Sequence, residues 1–238
     1  MYSYLTFSII LALVGLTLVV AATGSRRKFT FWSAVFAAPT GLADIWFAPA
    51  YWRPDHVFGP HFSIEGMLFS FGNGAILAFL VWPLFAKALS RGELSDNLLR
   101  NAWRYTLIVL PGFLTFLLLW DQLFGPLPVM QASFAAFVVL AIWLAVRGRL
   151  NPAIGLAGAL LFAMAYWAQT VLWSLFDRDL AAFWPEHSIY LAHPLPFTGL
   201  PGDELMWAAF YGLLWPHIIA ATIGGPMIGR RAGLRFFG

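Results

Sequence analysis

The chain of 238 residues is 61% hydrophobic and 11% charged. A soluble domain is about one-quarter charged, so the composition excludes an ordinary soluble fold and implies the lipid bilayer as a partner. Cys is absent, which excludes disulfides and thiolate chemistry, and the formal charge of +3 comes from loop residues, so no nucleic-acid partner is expected.

Apolar runs of about 20 residues recur along the chain and predict helices rather than barrel strands. The predicted fold class is an all-α integral membrane protein with seven transmembrane helices, over 3–22, 29–49, 62–86, 104–124, 127–146, 153–176 and 200–228. The first run has no basic residue ahead of it and is long, so it is read as a retained span rather than a cleaved leader.

The loops alternate in charge. Arg26, Arg27, Lys28, Lys87, Arg91, Arg100, Arg104, Arg147, Arg149, Arg230, Arg231 and Arg235 fall on one side, which is 12 of the 14 Lys and Arg. Only Arg53 and Arg178 fall on the other. The positive-inside rule then puts the N-terminus outside and the C-terminus in the cytoplasm, in an inner (cytoplasmic) membrane. The acids are distributed in reverse. Asp44, Glu65, Asp203 and Glu204 are predicted to lie roughly 4–8 Å inside their helix ends at 1.5 Å rise per residue, in one outer layer. Interfacial solvation explains any one of them; four at one depth favour a site, because a carboxylate in hydrocarbon is expensive.

Two segments echo one another. The first reads Tyr51-Trp52-Arg53-Pro54-Asp55-His56, followed by Ser63-Ile64-Glu65-Gly66-Met67-Leu68-Phe69. The second reads Phe183-Trp184-Pro185-Glu186-His187, followed by Pro201-Gly202-Asp203-Glu204-Leu205-Met206-Trp207. Their order and direction predict two parallel three-helix repeats, over 1–88 and 127–228, joined by a connector helix over 104–124. Pro39, five residues before Asp44, is expected to bend the second span beside the pocket.

Helical spacing puts Glu65 on one face with Phe69, Gly72, Asn73 and Ile76, and Asp203 with Trp207 and Phe210. Glu204 shares a face with Ala208, Tyr211 and Trp215. A desolvated carboxyl stays protonated and can protonate an alkene; aromatic faces stabilise the resulting cation, and a second carboxylate accepts the terminating proton. Glu65 is the candidate for one proton-transfer group, Asp203 and Glu204 for its counterpart. Asp44 is expected to support them by a hydrogen bond to one of the three. Trp46, Trp52, Trp184 and Trp207 are candidates for the aromatic lining, with Phe69, Asn73 and Tyr211 as further substrate contacts. The competing reading makes the acids structural pins, hydrogen-bonded to each other or to His.

The pattern of intramembrane Asp44, the aromatic-Trp-Pro segments and the carboxylate-opened helices in two copies resembles the lycopene cyclase domain family, membrane cyclases of carotenoid synthesis that use no cofactor. The resemblance covers spans two to three and six to seven. It implies an isoprenoid or carotenoid lipid substrate, no cofactor, and catalytic positions at Glu65, Asp203, Glu204 and Asp44. The first copy here reads Ser-Ile-Glu-Gly where the family has Pro-x-Glu-Glu, and the second reads Pro-Gly-Asp-Glu.

Other signals are weaker. Asp177-Arg178-Asp179 is read as a solvated loop rather than a Mg²⁺ site, and His56, His61 and Glu65 have spacings unsuited to Zn²⁺, so no metal is expected. His217 is expected to be a hydrogen-bonded core histidine. Three classes remain: an isoprenoid cyclase or isomerase (a meroterpenoid cyclase included), a non-catalytic carotenoid- or lipid-binding protein, and a transporter. The single outer layer of acids argues against a transport relay. A homo-oligomer remains open.

Overall fold

A computed structural model of the protein describes residues 3–54, 56–57, 63–89, 119, 129–177, 179–184, 199 and 201–223. Among these residues the regular structure is entirely helical: α1 (Ser3–Ala21), α2 (Gly24–Ala37), α3 (Asp44–Ala50), α4 (Ile64–Leu89), α5 (Val129–Val146), α6 (Pro152–Phe176) and α7 (Gly202–Thr222). Helices α1, α4, α6 and α7 are long and apolar enough to cross a membrane. The predicted connector over 104–124 lies outside the described residues except for Leu119. The end of the last span, from 224, also lies outside them.

The predicted second span is not one helix. It breaks into α2, a 3₁₀ stretch over Ala38–Ala43, and the short α3. Pro39 lacks an N–H and cannot continue the α2 ladder. A side chain at Gly41 would run into the Gly66 backbone, so the tight 3₁₀ stretch lies directly on the first turn of α4. Asp44 therefore opens a helix instead of sitting within one.

Two short turns reverse the chain at the end that carries the basic residues. Gly24 has φ 53° between α1 and α2, and Gly148 has φ 64° between α5 and α6, in the left-handed region that glycine enters without strain. Arg27 donates from Nε to Ala22 O at 2.8 Å and from Nη2 to Val20 O at 3.2 Å, satisfying carbonyls at the end of α1. Asn151 caps α6, its Oδ1 accepting from Ala153 N at 3.1 Å and Ile154 N at 3.2 Å.

Helix α4 runs through the centre, against α1 and α2 on one side and α6 and α7 on the other. Small residues set these approaches: a Cβ on Gly15 would stand 3.1 Å from Gly72 Cα, and one on Gly158 would stand 2.5 Å from Gly212 O. Polar contacts then lock three helices together. Trp215 Nε1 of α7 donates to Ser33 Oγ of α2 at 2.9 Å, and Ser33 Oγ donates to Gly74 O of α4 at 2.7 Å. His217 is the expected core histidine. Asn151 N donates to its Nε2 at 3.2 Å, so Nδ1 carries the proton and donates to Leu213 O at 2.8 Å.

Candidate functional site

Four carboxylates gather at the end of the bundle opposite the glycine turns. Glu65 is 0% exposed, Asp203 2% and Glu204 9%, while Asp44 is partly buried. Glu65 and the Asp203–Glu204 pair stand in the first turns of α4 and α7, and Asp44 opens α3.

Each has its own partners. Asp44 Oδ2 accepts from Tyr4 Oη at 3.0 Å and from Ser63 Oγ at 2.6 Å. These hydroxyls, not a second carboxyl group, are its partners, contrary to the expectation from sequence. The 3₁₀ break explains the difference, because it swings Asp44 toward the start of α1 and the residue preceding α4. Gly66 leaves room for this, since a side chain there would meet Asp44 Oδ2. Glu204 is held from both sides: Tyr166 Oη donates to Oε2 at 2.7 Å and Trp184 Nε1 donates to Oε1 at 3.1 Å. Glu65 is held from one side only. Its Oε1 accepts from Val57 N at 2.7 Å, while its buried Oε2 has no hydrogen-bond partner among the described residues and lies 3.9 Å from His56 Nδ1.

Between the carboxylates runs a continuous set of rings. Phe69 joins the two sides, its centroid 6.2 Å from that of Tyr4 and 6.2 Å from that of Tyr166. Around Tyr4 stand Trp52 at 4.7 Å and a parallel Trp173 at 5.9 Å. From Tyr166 the set continues to Trp207 at 6.0 Å, then by stacking to Tyr211 at 5.2 Å and Trp215 at 5.3 Å. Trp52 and Trp184 stand 5.9 Å apart. Tyr51 follows the last residue of α3. Burial, and then the charges of Glu204 and Asp203, push its phenol above the ordinary value, so Tyr51 stays neutral beside the pair.

The structure thus brings Glu65, Asp44, Glu204, Phe69, Trp52, Trp184, Trp207 and Tyr211 into one connected cluster. Asp203 is buried beside Glu204. Asn73 is buried two turns below Glu65, and its side-chain O and N both lack hydrogen-bond partners among the described residues. Trp46 is on α3, but its side chain lies outside the described residues, as does His61. Asp177 and Asp179 form a loop turn, Asp179 N donating to Asp177 Oδ1 at 3.1 Å.

Sequence reasoning missed Tyr4, Tyr166 and Trp173, and weighed His56 only as a metal ligand. A tyrosine inside an apolar run is a usable signal, because its hydroxyl needs a partner once buried. No protein-family model, characterised protein or solved structure matches this chain.

Proposed function

We propose that this protein is a membrane-embedded enzyme that cyclises or isomerises an isoprenoid or carotenoid end group by proton transfer alone. The observation that carries the reading is the asymmetry of the buried acids. Glu204 and Asp44 each receive two donors, whereas Glu65 keeps a buried oxygen with no donor among the described residues. In this reading Glu65, with its bare oxygen, takes the donor role and the doubly held Glu204 the acceptor role.

The reaction follows from those roles. The Glu65 O–H bond breaks as a C–H bond forms at the terminal alkene, leaving a tertiary cation. Electrons of a second double bond attack the cation and close a ring, or the cation persists for isomerisation. A C–H bond beside the cation then breaks, its electrons form the new double bond, and Glu204, with Asp203 beside it, takes the proton. The product is an isomer of the substrate. Phe69, Trp207 and Tyr211 present ring faces that stabilise the cation without capturing it.

The two-repeat organisation belongs to the same reading. Both hairpins at the basic end turn on a left-handed glycine, Gly24 and Gly148. Nine residues after Glu65 stands Gly74, seated on α2, and nine after Asp203 stands Gly212, seated on α6. Seven spans, with the N-terminus outside an inner membrane, are the topology we assign.

The test is expression in cells that accumulate a linear carotenoid, with chromatography of the extracted pigment. Ring-bearing isomers with the wild type and their loss in Glu65→Gln support the reading. A wild type that is correctly inserted, leaves the substrate linear and yet co-purifies with it establishes a binding protein instead.

A further inference from the structure

His56 lies in the segment between α3 and α4, directly over Glu65. Its imidazole is 4% exposed, although Val57, next in the chain, is exposed. Among the described residues neither ring nitrogen has a hydrogen-bond partner, and Nδ1 is 3.9 Å from Glu65 Oε2, which has none among them either. An approach of roughly 1 Å makes this a hydrogen bond. The next residue, Val57, already anchors the segment to Glu65 through its N–H. The titratable groups facing His56 are Glu65 from α4 and, edge-on at 5.5 Å, Tyr4 from α1, which carries Asp44 of α3 on its hydroxyl. A buried imidazole with two idle nitrogens beside a buried acid with one idle oxygen is costly as static structure, since each idle atom forfeits the hydrogen bond it had in water.

We propose that His56 is the proton relay that recharges Glu65 from the outer aqueous phase. The inference rests on the reading of Glu65 as proton donor. After Glu65 has lost its proton to substrate, the His56 Nδ1–H bond breaks as the Glu65 Oε2–H bond forms. As that bond breaks, Nε2 bonds a proton from water, so the ring stays neutral overall, and a ring flip restores the Nδ1–H form. The terminating carboxylate returns one proton to water, so the cycle consumes no net proton. His56 acts through Glu65 and is a positioning residue.

The relay is tested by infrared titration of the reconstituted protein between pH 4 and pH 9, with the Glu65 carboxyl band assigned by its loss in Glu65→Gln. With His56→Gln the midpoint of that band is expected to move, because the substitution removes the imidazole 3.9 Å from Oε2. His56→Asn serves as a second variant, and thermal melting selects the one that retains the fold. With a convertible substrate, the folded variant is expected to lose about 100-fold in kcat with KM unchanged, and His56→Gly to regain activity with added imidazole. A midpoint that does not move, or a Glu65 band that never appears, overturns the relay. Conversion that persists in the His56 variants with an unmoved band removes the relay and leaves the proposed function standing. A shifted band in a protein that converts no isoprenoid retains the proton coupling and removes the proposed function.

Discussion

Glu65 and Glu204 are the same side chain in opposite hydrogen-bonding environments, and the difference lies in single atoms. Tyr166 Oη and Trp184 Nε1 cover both oxygens of Glu204, whereas one backbone N–H covers half of Glu65. Glu65→Gln keeps the shape and the Val57 contact but carries no acidic proton. It is expected to cut turnover by about 10²- to 10⁴-fold while leaving substrate retention intact, measured by pigment conversion against co-purified pigment. Tyr166→Phe strips one donor from Glu204 and is expected to slow turnover by about 10- to 100-fold, with no gross change in folded yield. The carboxylates were legible in the sequence because charge inside an apolar run is conspicuous. Their partners were not: Tyr4 is 40 residues from Asp44 and Tyr166 is 38 from Glu204, and neither separation leaves a pattern along the chain.

At the scale of elements, helix extents were legible and the interruption was legible only as a bend. Predicted spans over 62–86 and 153–176 correspond to α4 and α6 within a few residues, because continuous apolar runs admit little else in hydrocarbon. The second span broke further than one proline requires, since Gly41 and Gly66 let the backbones meet and the 3₁₀ turn fills that contact. Backbone proximity of this kind also governs α6 against α7. Gly212→Leu is expected to separate these helices, lowering the melting temperature in detergent and disturbing Glu204 through its Tyr166 contact. Leu at Gly148, where open space surrounds the position, is expected to cost only the strain of its positive φ. A melting series of the two variants distinguishes packing from conformational strain.

For the whole molecule, the arrangement places acids at one end and basic turns at the other. Arg26, Arg27 and Lys28 adjoin the Gly24 turn, and Arg147 and Arg149 flank Gly148. Cys is absent, so single-cysteine variants report topology without a background. In the assigned topology, Asp179→Cys is expected to react with an impermeant maleimide in intact cells, and Ser25→Cys only after permeabilisation; both positions are exposed. The two-repeat plan is an expectation from sequence motifs, and the acids are not arranged symmetrically. Asp44 sits beyond a broken helix, while the partner tyrosine of Glu204 sits inside the unbroken α6. That asymmetry suits a donor on one side and an acceptor on the other.

The most direct measurement is mass spectrometry of pigment from cells that have accumulated lycopene in ordinary water and are then moved to D₂O, with further isoprenoid synthesis inhibited, as the wild-type protein is induced, beside Glu65→Gln. Protonation by an exchangeable carboxyl deposits one solvent deuterium per ring formed. Cyclic isomers carrying that deuterium, absent with Glu65→Gln, are the expected result. Linear, unlabelled pigment from cells holding folded, membrane-inserted wild type contradicts the assignment of this acidic, aromatic cluster as a carotenoid-cyclising site.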